Sequence, residues 1–300
     1  MFDISPDCPF QVLVIRIYTQ GPRIYVPDDN FAVNFFRTSQ QSCINLSEIS
    51  STENSLYFAL LRQWFRECDK GHQCNRKALF WPTRVIFVGG LGSAELELWE
   101  TKLKQRELSN ADGYTALSHC WGNPTDEEKQ RFCTTRENYE RRLKRFSMND
   151  LPKTFKDAIR VTRELGKQYL WIDALCIIQP MQEEEDSDWK REAGRMADVF
   201  GGAYCTFAAS SAKSWKEGFL ERESTPRYVQ AQQKYSRRWK YICDDVNDFE
   251  SDVDAGLINQ RAWVLQERVL SRRTIHFTER RIYWECGGGV WCENLKRLRR

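Results

Sequence analysis

The stretch YLWIDALCIIQ, Tyr169 to Gln179, is apolar at almost every position, yet it carries one carboxylate, Asp173. Burying an unpaired carboxylate is costly, so either the chain turns at Asp173 or the charge has a function. Upstream lies NDLPKTFKDAIRVTRELG. Asn149 or Asp150 reads as a cap and Pro152 as a first-turn residue. Phe155, Ala158, Ile159, Thr162 and Leu165 then share one face, and Gly166 ends the helix. Further upstream, YTALSHCWG reads as a short strand ending at Gly122. Downstream, DSDWKREAGRMADVFGG reads as one helix with Trp189, Ala193, Met196 and Phe200 inward, followed by a third strand, YCTFAAS. Strand, helix, strand, helix, strand, with near-continuous apolar strands, predicts a parallel sheet wound by right-handed crossovers, a doubly wound α/β pattern.

The flanks are less regular. QVLVIRIY near the start is strand-like, and residues 1–54 otherwise read as a polar lead-in. SLYFALLRQWFREC has helical spacing, and WPTRVIFVGG with ELEL predicts two strands around a Gly-rich turn. Residues 211–257 read as a polar insertion with one short strand at WKYIC. INQRAWVLQERVLSRR reads as a helix, and RTIHF and RIYWEC as a hairpin.

Composition bounds the function. Of 300 residues, 41% are hydrophobic and 29% charged, and 11 Trp with 17 Phe exclude broad disorder. A net charge of +3, from 45 basic and 42 acidic residues, argues against a nucleic-acid partner. MFDISPDCPF lacks the basic and apolar regions of a signal peptide, and no apolar run reaches the ~18 residues of a membrane span. With 11 scattered cysteines, the chain is expected to be cytoplasmic and reduced.

Ligands in open parallel sheets bind beyond the carboxyl ends of the strands. Ser118 and Trp121 at the end of the first strand, and Asp173 after the second, are therefore candidate ligand-binding residues. The alternative is that Asp173 caps the turn it begins. Glu192 shares a helix face with Trp189 and Met196, so it is expected to be partly desolvated, which suits acid–base or ion-stabilising work; pairing with Arg195 is the plainer alternative. Trp263 and Glu267 are one helical turn apart and, with Gln266 and Arg268, read as a docking helix that closes the core. Cys68, His72 and Cys74 are metal ligands by type. Their C-x3-H-x-C spacing fits no common zinc pattern, and Cys286 and Cys292 add ligands only if the fold gathers them, so no metal is expected. There is no P-loop and no G-x-G-x-x-G after a strand, so no resident cofactor is expected.

Six blocks in order, YTALSHCWG, LPKTFKDAI, YLWIDALCIIQ, DWKREAGRMADVFGGA, RAWVLQERVLSRR and IYWEC, resemble the fungal heterokaryon-incompatibility domain. LLRQWFRECDKGHQC and WPTRVIFVG resemble the leader of such proteins. The resemblance implies a signalling module for non-self recognition and programmed cell death, acting through protein partners or self-association. It also implies a distant similarity to Toll/interleukin-receptor domains. The expected fold is then α/β, with a parallel-sheet flavodoxin-like core, an N-terminal extension and a C-terminal helix plus β-hairpin. The expected division is a leader over 1–105, the domain over 106–286 with the insertion at about 211–257, and a tail over 287–300. Some receptor-type relatives cleave NAD with a helix glutamate four residues after a tryptophan. The nearest counterpart is Glu192, three after Trp189, which makes Glu192 the implied catalytic residue and Trp189 an implied ligand-binding one, with NAD as the implied substrate. Members of the family are expected to continue beyond WECGGG, so this ending reads as a short version or a truncated gene model.

Overall fold

The computed structural model describes residues 55–71, 74, 80–181, 186–222, 228–232, 239–243, 249–260, 264–293 and 297–298. QVLVIRIY, His72 and Trp263 lie outside the described residues.

The chain opens with helix α1 (Ser55–Gly71), strands β1 (Arg84–Phe87) and β2 (Glu95–Glu100) and the short helix α2 (Gln105–Leu108). Strand β3 (Thr115–Ser118), helices α3 (Asp126–Phe132) and α4 (Tyr139–Lys144) and strand β4 (Phe146–Ser147) follow. Next come α5 (Lys153–Glu164), β5 (Tyr169–Trp171), α6 (Asp173–Cys176), α7 (Ser187–Ala193), α8 (Met196–Gly202) and β6 (Cys205–Ala208). A separate hairpin, β7 (Tyr228–Gln232) and β8 (Trp239–Cys243), precedes α9 (Val264–Val269), β9 (Arg273–Phe277), β10 (Ile282–Cys286), β11 (Gly289–Cys292) and β12 (Arg297–Leu298).

Ten strands form one sheet in the order β12-β11-β10-β9-β6-β3-β5-β1-β2-β4. The expected parallel centre is present: β3 pairs parallel with β5 and with β6, and β6 pairs parallel with β9. The sheet as a whole is mixed rather than all-parallel. On one flank β1 runs antiparallel to β5 and to β2; on the other, β9 to β12 are joined in antiparallel steps. Short turns dictate the β1–β2, β9–β10 and β10–β11 steps, because a hairpin can only return antiparallel. Strands of the leader and of the closing hairpin thus belong to the central sheet.

Both faces of the central strands are covered, which is why TALS, YLW and CTFA are buried throughout. On one face lie Thr115, Leu117, Phe207, Ile275 and Trp284, in register across the sheet. Helix α5 packs there, with Thr162 Oγ1 2.9 Å from Thr115 Oγ1, and α1 adds Phe65 edge-on to Trp284 at 4.8 Å. On the other face, Phe200 of α8 meets Trp171 edge-on at 5.6 Å, and α9 lies over Ser118.

Helix α5 begins at Lys153 after Pro152, and its face of Phe155, Ala158, Ile159 and Thr162 is buried as the spacing required. The helix read across residues 186–202 is two helices, α7 and α8, separated at Gly194 and Arg195. Period 3.6 does not carry across that break, so the inward face changes. Trp189 is 39% exposed, whereas Glu192 is 4% exposed. Within the segment read as a polar insertion, Trp215, Phe219 and Leu220 are core residues, Trp215 lying 5.3 Å from the Trp121 ring.

Gly122 ends the YTALSHCWG block with φ +71°, in the left-handed region, and a Cβ there would lie 2.7 Å from Ser214 Cβ. Gly122→Ala is expected to cost about 1–2 kcal/mol in backbone strain and about 1–3 kcal/mol in overlap. A urea midpoint unchanged from wild type would contradict this.

Candidate functional site

The parallel register sets the carboxyl rim. Ala116 pairs with Trp171, so Ser118 at the end of β3 and Asp173 just past β5 reach the same end of the sheet. Because β1 is antiparallel to β5, its first residue, Arg84, and Thr83 before it sit at that rim too. Glu192 is hydrogen-bonded to Thr83. The three residues picked from the sequence therefore share an end of the sheet, but their side chains are engaged separately.

Asp173 answers the question its stretch raised. It opens the short helix α6, and its Oδ1 accepts the N–H of Ala174 at 2.6 Å. Its Oδ2 accepts Trp121 Nε1–H at 2.8 Å, and His119 Nδ1 lies 3.8 Å from Oδ1. Trp121 and Asp173, both read as ligand-binding, thus bind each other. The charge is held by its neighbour's backbone N–H and an indole; the cap position of α6 is Ile172, one residue before it.

Glu192 faces β1. Its Oε1 accepts from Thr83 Oγ1 at 2.8 Å and from Arg191 Nε at 3.2 Å, and Arg195 donates to the same Thr83 hydroxyl at 2.9 Å. One turn earlier, Asp188 receives both terminal nitrogens of buried Arg84, at 2.6 and 3.1 Å, and the N–H of Ile178 at 2.9 Å. Asp188 and Glu192, four apart, form the seam by which α7 docks on the start of β1. Trp189 projects away from that seam.

The other face of the parallel strands carries a polar cleft that the sequence did not announce. It is lined by Ser118, Thr206, Ala208, Thr274 and His276 of β3, β6 and β9, and roofed by Ile258, Asn259, Val264, Glu267 and Arg268; the space enclosed is about 10 Å³, about one water. Ser118, Ala208 and His276 lie in one row across three strands. At ~4.8 Å per strand, Ser118 and His276 backbones stand about 9.6 Å apart, with only the alanine methyl between them. Glu267, 5% exposed, accepts a short hydrogen bond from Ser118 Oγ. Gln266 is carried by the same helix, α9. The helix is pinned below by Ser271, whose Oγ donates to the Glu267 carbonyl and lies 2.6 Å from Thr206 Oγ1.

His276 Nε2 lies 2.8 Å from Glu285 Oε2, and Arg268 Nε donates to the same oxygen at 3.1 Å while its Nη1 reaches Asp254 at 2.6 Å. Burial holds His276 below its ordinary value, despite the adjacent carboxylate. Burial would raise Glu285, but hydrogen bonds from His276 and Arg268 outweigh it and hold the carboxyl at about 2. Burial thus disfavours the His276 imidazolium, and in the neutral ring Nε2 carries the proton toward Glu285. Its Nδ1 has no hydrogen-bond partner among the described residues. A buried, unpaired ring nitrogen in a polar cleft is an acceptor waiting for a donor.

The sign of the pH dependence follows. Below 6.5 the unfolded imidazole takes a proton that the native one resists, so stability falls as pH drops through that range. Glu285 adds a second loss as pH falls from 4.5 toward about 2. His276→Gln is expected to flatten the first slope, checked by urea midpoints at about pH 5 and about pH 7.5. Equal slopes in both proteins would contradict it.

His276 and Glu285 were not candidates from the sequence, and Arg268 was read only as part of a docking helix. The one available signal was alternation in RTIHF, which puts Thr274 and His276 on a common face.

A family model described as heterokaryon incompatibility protein (HET) matches residues 114–267, just over half of the chain. The chain belongs to the heterokaryon incompatibility (HET) family. No curated protein and no solved structure gives a match. The HET match begins at Tyr114, which leads into β3, and ends at Glu267, so Ser118 and its carboxylate partner bracket the matched region. His276 and Glu285, which complete the HET cleft, lie just beyond it. Among the described residues no helix is long and apolar enough to cross a membrane.

Proposed function

We propose that this HET protein acts in fungal non-self recognition and programmed cell death, and that it does so by cleaving the nicotinamide–ribose bond of NAD in the Ser118–Glu267 cleft. The observation carrying this reading is a buried carboxylate held by a hydroxyl over the row Ser118, Ala208, His276. The four parallel strands run second, first, third, fourth across the sheet, the order of flavodoxin-like folds, which supports the likeness to Toll/interleukin-receptor domains. Trp263 and Glu267 also have the four-residue spacing expected of the NAD-cleaving glutamate, which Trp189 and Glu192 lack.

In this reading the C1′–N bond breaks and its electron pair leaves with neutral nicotinamide. The ribose becomes oxocarbenium-like, water adds at C1′, and a proton is released, giving ADP-ribose. Glu267 stabilises the developing positive charge, which a preorganised carboxylate does best in a dry site. Ser118 orients the carboxylate or a ribose hydroxyl, and neutral His276 accepts a hydrogen bond from the substrate. The enclosed space, about 10 Å³, is about one water in size, far below the ~300 Å³ at which ordinary ligand pockets begin, so nucleotide entry requires α9 and the 257–260 turn to move well outward. The test is NAD loss measured for wild type, Glu267→Gln and Glu192→Gln. Loss abolished by Glu192→Gln alone would return the catalytic role to Glu192.

A second reading, a module that signals by self-association, is favoured by one observation. Leu257, Val269 and Leu270 are exposed on and beside α9, where a second copy would cover them. Cell death with NAD levels unchanged in wild type would select it. Partner proteins, rather than nucleic acid, and a cytoplasmic site of action fit both readings.

A further inference from the structure

We propose that Cys68, Cys74 and Cys286 bind a soft divalent metal ion, with zinc as the expected occupant, and that this ion clamps α1 to the β10–β11 hairpin. The three sulfurs lie within 4.8 Å of one another. Tetrahedral zinc–thiolate geometry, with bonds of about 2.3 Å, needs sulfurs about 3.8 Å apart, so the trio closes on an ion by small side-chain movements. A disulfide would use two sulfurs and leave the third against it; a cation uses all three.

The surroundings are those of a thiolate site. Cys68 and Cys286 share a hydrogen bond, and the Arg273 guanidinium lies beside them. Arg273 is buried in register with Cys286, stacks 4.8 Å from the Tyr204 ring and donates to Asp69, one residue after Cys68. Its Nε and Nη1 have no hydrogen-bond partner among the described residues. Three thiolates around a divalent ion carry one net negative charge, and the Arg273 guanidinium, shared with Asp69, lies beside them. The Gly288 N–H donates to Cys286 Sγ at 3.4 Å, as backbone amides do for metal-bound sulfur. A Cβ on Gly287 would sit 3.3 Å from Cys74 Sγ, so the glycine turn admits the third ligand. The fourth position is left to a further side chain or a water. Cys68 and Cys74 precede the family match and Cys286 follows it, so the clamp ties together the two segments that flank the matched region.

The experiment is metal analysis of the full chain purified under thiol reductant, followed by cobalt titration of the chelator-treated protein. About one zinc per chain and a sulfur-to-cobalt charge-transfer band are expected for wild type. Both should be lost in Cys74→Ser and Cys286→Ser and kept in Cys133→Ala. Chelator should lower the wild-type melting temperature and leave that of Cys74→Ser unmoved. Folded wild type that binds neither zinc nor cobalt overturns the proposal. So does full binding by either serine variant, or a Cys68–Cys286 disulfide found by mass under these conditions. If the variants fail to fold, the wild-type titration decides alone, since only thiolate ligands produce that band.

Discussion

Glu267→Gln should lower NAD cleavage at least about a hundredfold while leaving the fold intact, because removing a group that acts on charge in the transition state typically costs 10²–10⁴-fold. The amide is isosteric and can still accept from Ser118 Oγ, so the contact survives and only the negative charge goes. Glu192→Gln should behave differently. Its carboxylate is committed to Thr83 and Arg191 at the α7–β1 seam, so the expected effect is on stability, with turnover within a few-fold of wild type. Ser118→Ala should fall between the two, since it frees the carboxylate from its holder without removing it. Turnover by Glu267→Gln at the wild-type rate, with the protein folded by circular dichroism, would end the assignment.

Arg84→Ala should be among the most destabilising single changes in the chain, about 3–5 kcal/mol, the cost of breaking one partner of a buried ion pair. Arg84 is 3% exposed and binds Asp188 twice, donates to the Cys176 carbonyl at 2.6 Å and lies 5.5 Å from the Tyr139 ring centre. Its loss leaves Asp188 with only the half-exposed Arg191 guanidinium and the Ile178 N–H, and it unfastens α7 and the end of α6 from β1 together. Arg84→Met with Asp188→Leu should recover part of the loss, because replacing a buried pair by apolar groups avoids the stranded charge. Urea unfolding of the two single variants and the double variant measures the coupling. A cost below about 1 kcal/mol for Arg84→Ala would mean the pair is worth no more than a surface one.

The arrangement of strands and helices was legible because each central strand is covered on both faces. That buries TALS, YLW and CTFA at every position with few charged residues nearby, and α5 shows its buried face as a clean helical period. Asp173 was legible for a local reason too: a carboxylate after a strand can accept its neighbour's N–H and start a turn. Glu192 was read as buried, and it is, but its company was misread. The period was carried through Gly194, where the helix breaks, and so Trp189 was placed inward.

Long-range groupings were not legible, and the reason is geometric. Ser118 and Glu267 meet across 149 positions, and His276 joins their cleft only because β9 docks beside β6. Cys286 reaches Cys68 and Cys74 only because the closing hairpin lies in the same sheet and under α1. Local periodicity encodes which face of an element is dry, since burial repeats every two or 3.6 residues along the chain. Which distant side chains share that dry space depends on strand order and register, and those are properties of the assembled sheet.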